Sequence, residues 1–215
     1  MPKRRTLTRA ARAAETRDAI IATALRLFQR SGIEASSLDA VAAELGLTKG
    51  AVYARFPSKA ALVQAVARAN TTPRGVFDAL LEPGVPLPKR LAEFARRLVS
   101  SRVSARVVLL DLEYVIYSAR NPKLAKADRS EFDAAIGAFA ARFRVANETT
   151  GDELPMAEEK FLLLVNVVSR GLIQQLALRP GSLGVDDVVE MVMQLGTGGR
   201  PRPSSRAGPA DPGET

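Results

Sequence analysis

Apolar residues recur at three- and four-residue spacing along nearly the whole chain, and no convincing stretch alternates with the period of two that a strand requires. The stripe Ile20, Ala24, Leu27 and Phe28 predicts a first helix over about 16–31, stopped at Ser31-Gly32. Short helices are predicted at 38–45 and 49–55, and Pro57-Ser58 breaks the chain before another that begins at 59. Pro73 and the run from Pro83 to Pro88 mark a connector, which places a boundary near 73–86. Beyond it the pattern predicts helices at 88–102, 104–120, 124–147 and 156–179, then a shorter one at 185–195. Between Gly196 and Thr215 nine of twenty residues are Gly or Pro and none is large and apolar, so this tail is expected to be disordered. The expected fold is all-α: a basic arm at 1–15, a three-helix head at 16–72, a helical bundle at 73–195 and the tail at 196–215, about nine helices in all.

Composition narrows the chemistry. The 215 residues are 47% apolar and 25% charged, the mix of an ordinary soluble domain. There is no Cys and no His, which removes thiolate metal sites, disulfides, the commonest general base and the commonest zinc ligand. The acidic pairs Asp152-Glu153, Glu158-Glu159 and Asp186-Asp187 fall in loops or near predicted helix starts, where acids favour the helix dipole. Catalysis, a metal and a cofactor are therefore not expected. No uninterrupted apolar run approaches the roughly 18 residues of a membrane span, and no apolar segment follows the basic N-terminus. The expectation is a soluble, cytoplasmic protein without a membrane partner.

Charge is unevenly placed. The net charge is +8, yet residues 1–70 hold 12 Lys/Arg against 5 Asp/Glu while residues 71–215 hold 19 against 18. A basic first third on a nearly neutral remainder fits a polyanion-binding module fused to a neutral body. Residues 3–12 alone would give only weak, salt-sensitive attraction to nucleic acid. As a membrane anchor they lack the aromatic residues an interfacial helix needs.

Specificity points to residues 36–59, SSLDAVAAELGLTKGAVYARFPSK. Two short helices crossing steeply need a small residue at their closest approach, which Ala42 supplies. The turn needs tolerance of positive φ, which Gly46 supplies. The second helix needs a branched apolar side chain to pack back, which Val52 supplies beside Val41 and Leu45. Those are the requirements of a helix-turn-helix, whose second helix enters the major groove. Ser37 and Thr48 are placed to cap the two helices, and helix N-termini attract phosphate. Lys49 and Lys59 stand at helix starts, where a cation opposes the dipole by about 0.3–1 kcal/mol unless an anion is near.

Thr16-Arg17, Ile20-Ile21, Ala24, Leu27-Phe28, Gly32, Ser36-Ser37-Leu38, Leu45 through Tyr53, and Phe56-Pro57-Ser58-Lys59 together resemble the DNA-binding domain of the TetR/AcrR family. The resemblance covers about 16–62. It implies an all-α homodimer, usually a transcriptional repressor that binds double-stranded DNA at a palindromic operator, with a divergent body that dimerises and binds a small-molecule inducer. It further implies that Ser37, Thr48, Tyr53 and Lys59 hold phosphates, and that Lys49 and Gly50 approach backbone or base edges. Arg55 departs from the usual His or Tyr, and is expected either to pair with a phosphate or to donate to guanine O6 and N7. Ala60 stands where an acid is usual. Arg4, Arg5 and Arg9 either follow a minor groove or act only as mobile cations. The rival reading is a protein of this fold that binds ligands or partners without specific DNA recognition; the intact Thr48-Lys49-Gly50 and Tyr53 argue against it.

In the body, Phe94, Leu98, Leu110, Tyr114, Tyr117, Phe139, Phe143 and Phe161 are candidates to line an inducer cavity, with plain core as their alternative role. At least one of Asp111 and Glu113, which sit among apolar neighbours, is expected to be buried and paired, with Arg106 or Arg120 as the candidates. The helix at 156–179 is apolar on more than one face, Leu163, Val167 and Leu178 forming the second. With the last helix it is expected to form a dimer seam through Leu164, Val168, Gly171, Leu172, Val188 and Val192.

Overall fold

The computed structural model describes residues 9–70 and 75–197. Among them every α or β element is a helix: α1 (Arg9–Ser31), α2 (Leu38–Leu45), α3 (Lys49–Tyr53), α4 (Lys59–Ala69), a 3-10 turn (Phe77–Leu81), α5 (Leu87–Ser100), α6 (Ala105–Ala119), α7 (Pro122–Glu148), α8 (Glu158–Leu178) and α9 (Val185–Thr197). Two expected boundaries move. Residues 9–15, expected in the basic arm, are the first two turns of α1, because Ala10, Ala11, Ala13 and Ala14 are strong helix formers. Gly196 and Thr197, expected in the tail, end α9, where Gly196 leaves no room for a Cβ against Leu91 of α5. Arg4, Arg5, Pro73 and residues 198–215 lie outside the described residues.

Three hydroxyls start the short helices. The Ala40, Ala51 and Ala61 N–H groups donate to the Oγ of Ser37, the Oγ1 of Thr48 and the Oγ of Ser58 at 3.1, 3.2 and 3.2 Å. Gly46 ends α2 at φ 64°, which lets the Leu47 N–H reach the Ala42 carbonyl at 2.9 Å and turns the chain into α3. A Cβ at Gly46 would meet nothing within 4 Å, so the cost of a side chain there is conformational alone. Gly46→Ala is expected to destabilise the fold by about 1 kcal/mol and Gly46→Asn by visibly less, read from urea unfolding.

Two cores result. The first joins Ile20, Ala24 and Phe28 of α1, Val41 and Ala42 of α2, Val52 of α3 and Leu62, Val63 and Val66 of α4. It is closed by Leu110 and Tyr117 of α6 and Leu124 of α7. The second packs the 3-10 turn, α5, α7, α8 and α9 around Leu91, Phe94, Phe143 and Phe161. The 3-10 turn falls inside the expected connector and is anchored by buried Val76, Ala79 and Leu80. The guanidinium of Arg90, with no exposed side-chain surface, ties this core together. It donates to the Leu80 carbonyl at 2.8 Å, to Asn147 Oδ1 at 2.5 Å and to Asp152 Oδ2 at 3.3 Å, and lies 5.3 Å from the centre of the Phe143 ring.

The α8 helix is long and apolar enough to cross a membrane by length and composition alone. Phe161, Leu162, Val165, Ser169 and Leu172 bury one of its faces among neighbouring helices, as in a core helix.

Candidate nucleic-acid interface

The helix-turn-helix forms as its spacing requires. Ala42 and Val52 are buried at the α2–α3 contact, and the N-terminal tip of α3 faces outward. Ser37 and Thr48 use lone pairs to accept from the backbone, and each hydroxyl proton stays free to donate to an oxyanion. Tyr53 is 47% exposed, uncommon for so large a ring. A Cβ on Gly50 would touch nothing within 4 Å, so its bareness serves no packing among the described residues.

The cations are less free than their positions suggest. Lys49 Nζ donates to Asp39 Oδ2 at 2.6 Å, and this bond raises the ammonium above its ordinary pKa. Lys59 turns inward: its Nζ donates to the Glu34 carbonyl at 2.9 Å and lies 5.8 Å from the centre of the Tyr117 ring on α6, leaving the side chain 28% exposed. The dipole cost of both lysines is thus offset within the chain. Arg55 also folds back, donating from a terminal nitrogen to the Ala51 carbonyl at 2.9 Å, with its Nε buried and unpartnered. Ser37, Thr48, Lys49, Gly50 and Tyr53 are therefore all exposed, whereas Lys59 and Arg55 are partly withdrawn.

The head is laced to the body. Glu113 of α6 accepts from the Ile33 N–H at 2.7 Å, so it caps the loop before α2 and does not pair with Arg106 or Arg120. Asp128 of α7 accepts from the Tyr114 hydroxyl and the Ser118 hydroxyl, each at 2.5 Å, and from Gln64 of α4 at 3.2 Å. Burial, reinforced by the bond to Asp128, pushes the Tyr114 phenol well above its usual pKa. Arg68 of α4 pairs with Glu131.

Beside this junction lies a cleft of about 390 Å³. Its walls are Ala67 of α4 and Asn70 just after it, Gly75 and Phe77 at the 3-10 turn, Val103 in the loop before α6, Val107, Val108 and Asp111 of α6, Phe132 of α7, and Asn166, Ser169, Arg170, Ile173 and Gln174 of α8. None of the eight residues expected to line a cavity borders it. Phe94, Leu98, Leu110, Phe143 and Phe161 are almost fully buried in the two cores, Tyr117 closes the first, Tyr114 packs against that core, and Phe139 packs against the second. Leu98 and Tyr117 border two other surface clefts, and Leu110 and Tyr114 a small void beside the first core. Asp111 reaches across to Arg170 of α8 at 2.5 Å instead of pairing within its own helix. The readable trace of the cleft is the polar row Asn166, Arg170 and Gln174, which interrupts an otherwise apolar helix at four-residue spacing.

The expected seam residues are placed differently. Leu172, Val188 and Val192 are buried inside the chain, α9 lying along α5, and Leu164 and Val168 are half-buried. Gly171 faces open space, so no close packing among the described residues accounts for it. The outer apolar row of α8 is instead Leu163, Val167 and Leu178.

Residues 20–66 match the family model for bacterial regulatory proteins of the tetR family. Over 64 residues the chain is 42% identical to the HTH-type transcriptional regulator SrpR of Pseudomonas putida; the match covers 30% of each, so the chain spans less than a third of that relative's length. Among solved structures, Salmonella enterica GusR superposes with a TM-score of 0.68 at 22% identity, over 88% of this chain and 97% of that one. The multidrug binding protein EbrR, complexed with ethidium, gives 0.59 at 23% identity, over 84% and 98%. The structures establish a shared all-helical fold, and the sequence match falls on the helix-turn-helix itself. Residues 20–66 thus carry the DNA-binding module of the tetR family of bacterial regulatory proteins, on a chain whose overall fold those regulators share.

Proposed function

We propose that the chain is a sequence-specific transcriptional repressor of the cytoplasm, acting as a homodimer on palindromic double-stranded DNA and released by a small-molecule effector. In this reading residues 16–72 form the DNA-binding head and residues 73–195 the effector-binding and dimerising body. The observation that carries it is the α3 tip, where Thr48, Lys49, the bare Gly50 and Tyr53 are all exposed and no other described residue comes within 4 Å of a Cβ placed on Gly50. The cleft supports an effector site: apolar walls with a few convergent amides and one ion pair suit an organic molecule. EbrR, of the same fold, is found with ethidium bound. The outer row Leu163, Val167 and Leu178 supports a seam on α8.

A gel-shift on the DNA flanking the protein's own gene tests this. Sequence-specific retardation is expected, weakened about 30-fold in Lys49→Ala/Tyr53→Ala, since each lost contact is worth about 1 kcal/mol. Retardation that ignores sequence and disappears with moderate salt would leave only the ligand-binding reading of this fold.

A further inference from the structure

The bond between Lys49 and Asp39 raises a question the helix-turn-helix alone does not answer. Lys49 opens α3 and is the most exposed cation of the tip, its side chain 71% accessible. Asp39 lies in the first turn of α2, two residues after the Ser37 cap, with one carboxylate oxygen on Lys49 at 2.6 Å and the other buried without a partner. An acid at this place is unfavourable for any phosphate approaching the α2 N-terminus, and it neutralises the nearest lysine. A surface selected only for affinity to a polyanion would carry neither effect.

We propose that Asp39 is a specificity-determining residue: it holds the Lys49 ammonium out of sequence-blind phosphate contacts and yields it only to a duplex offering a stronger acceptor pair, such as the O6 and N7 of a guanine at the groove mouth. The pair acts by subtraction. In a random duplex Lys49 has one solvent-screened phosphate to gain and a carboxylate at 2.6 Å to lose, so it stays. At a matching base edge two acceptors compete with one, and the lysine transfers. Specificity rises because binding to the wrong sequence is suppressed. The inference rests on the DNA-binding reading above.

A double-mutant cycle on the full chain tests it, using a scrambled 30-base-pair duplex and an operator selected by the parent from a pool of random duplexes. Asp39→Asn is expected to tighten binding to the scrambled duplex about two- to fivefold near 100 mM salt. It should steepen log K against log[salt] by about 0.9, the signature of one added phosphate contact. Operator affinity should change less, so the ratio of specific to non-specific binding falls. In a Lys49→Met background the same substitution should leave the slope unchanged and tighten binding much less, by the repulsion of the carboxylate alone. An equal effect in that background makes Asp39 a general charge and overturns the proposal, as does an unchanged slope for Asp39→Asn. Asp39→Ser provides a second variant should Asn weaken the α2 start, with thermal melting run alongside. A parent that binds neither duplex overturns the regulator reading and the proposal together; a parent that binds, with Asp39→Asn inert, overturns the proposal alone.

Discussion

Gly50→Glu is expected to leave the fold at least as stable as the parent and to weaken operator binding about 100-fold. Gly50 is the second residue of α3, and a side chain there projects into open space. Replacing glycine in a helix gains roughly 0.5–1 kcal/mol of conformational entropy, and an acid in the first turn gains a few tenths more from the dipole. Both favour folding. The same carboxylate would hold the α3 N-terminus away from a phosphate and repel it. A lost hydrogen bond to a charged acceptor is worth about 1.5–3 kcal/mol, and like-charge repulsion adds to it. Urea unfolding and a gel-shift on the same preparation read the two effects separately. Gly50→Ala should share the stability gain and lose far less binding. Parental affinity in Gly50→Glu would mean that α3 does not present this end to DNA.

Asp152→Ala is expected to cost about 2–3 kcal/mol, more than Arg90→Met. The two substitutions break one ion pair, but they strand different groups. Without Asp152 the guanidinium of Arg90 stays fully buried with the Leu80 carbonyl and Asn147 as remaining acceptors, and an under-compensated buried cation is expensive. Without Arg90 the carboxylate keeps the Leu87 N–H at 2.7 Å and the Thr150 hydroxyl, and it reaches solvent. A methionine fills the vacated space, leaving a cost of about 1–2 kcal/mol. Acid should separate the variants further. Burial works against the charge on Asp152, but the Thr150 hydroxyl, the Leu87 N–H and Arg90 outweigh it and hold the native carboxyl below its ordinary range. Its contribution is complete above the unfolded value, about 3.9, and fades as pH falls through the lower native one. Stability of the parent should therefore drop on acidification below about pH 4, while Asp152→Asn lacks that portion of the drop. An identical acid profile in the two would show that Asp152 does not contribute in this way.

The head was legible because its determinants are local. A cap is a hydroxyl three residues before the amide it accepts from, and a left-handed turn is a glycine at one position. Ser37, Thr48 and Gly46 could thus be read directly. The direction of a long side chain is another matter. Lys59 leans on a carbonyl 25 positions away and on the ring of Tyr117 from a different helix, and no spacing rule foretells that. The cleft failed to announce itself for a related reason. Its walls come from four α-helices, the 3-10 turn and the loops between helices, and size and apolarity mark Phe94, Phe143 and Phe161 equally well for packing or for lining. The seam lies on a helix apolar on two sides, and periodicity cannot say which side a chain keeps for itself.

The first core does not stop where the connector begins. Leu110, Tyr117 and Leu124 close it from α6 and α7, so a fragment cut near residue 70 would shed three walls and open its apolar interior to water. Chimaeras that swap effector specificity between relatives should accordingly be joined inside α7, beyond Leu124, with α6 travelling alongside the head it roofs. If the head is the DNA-binding unit proposed above, the unit of inheritance for recognition is longer than that head.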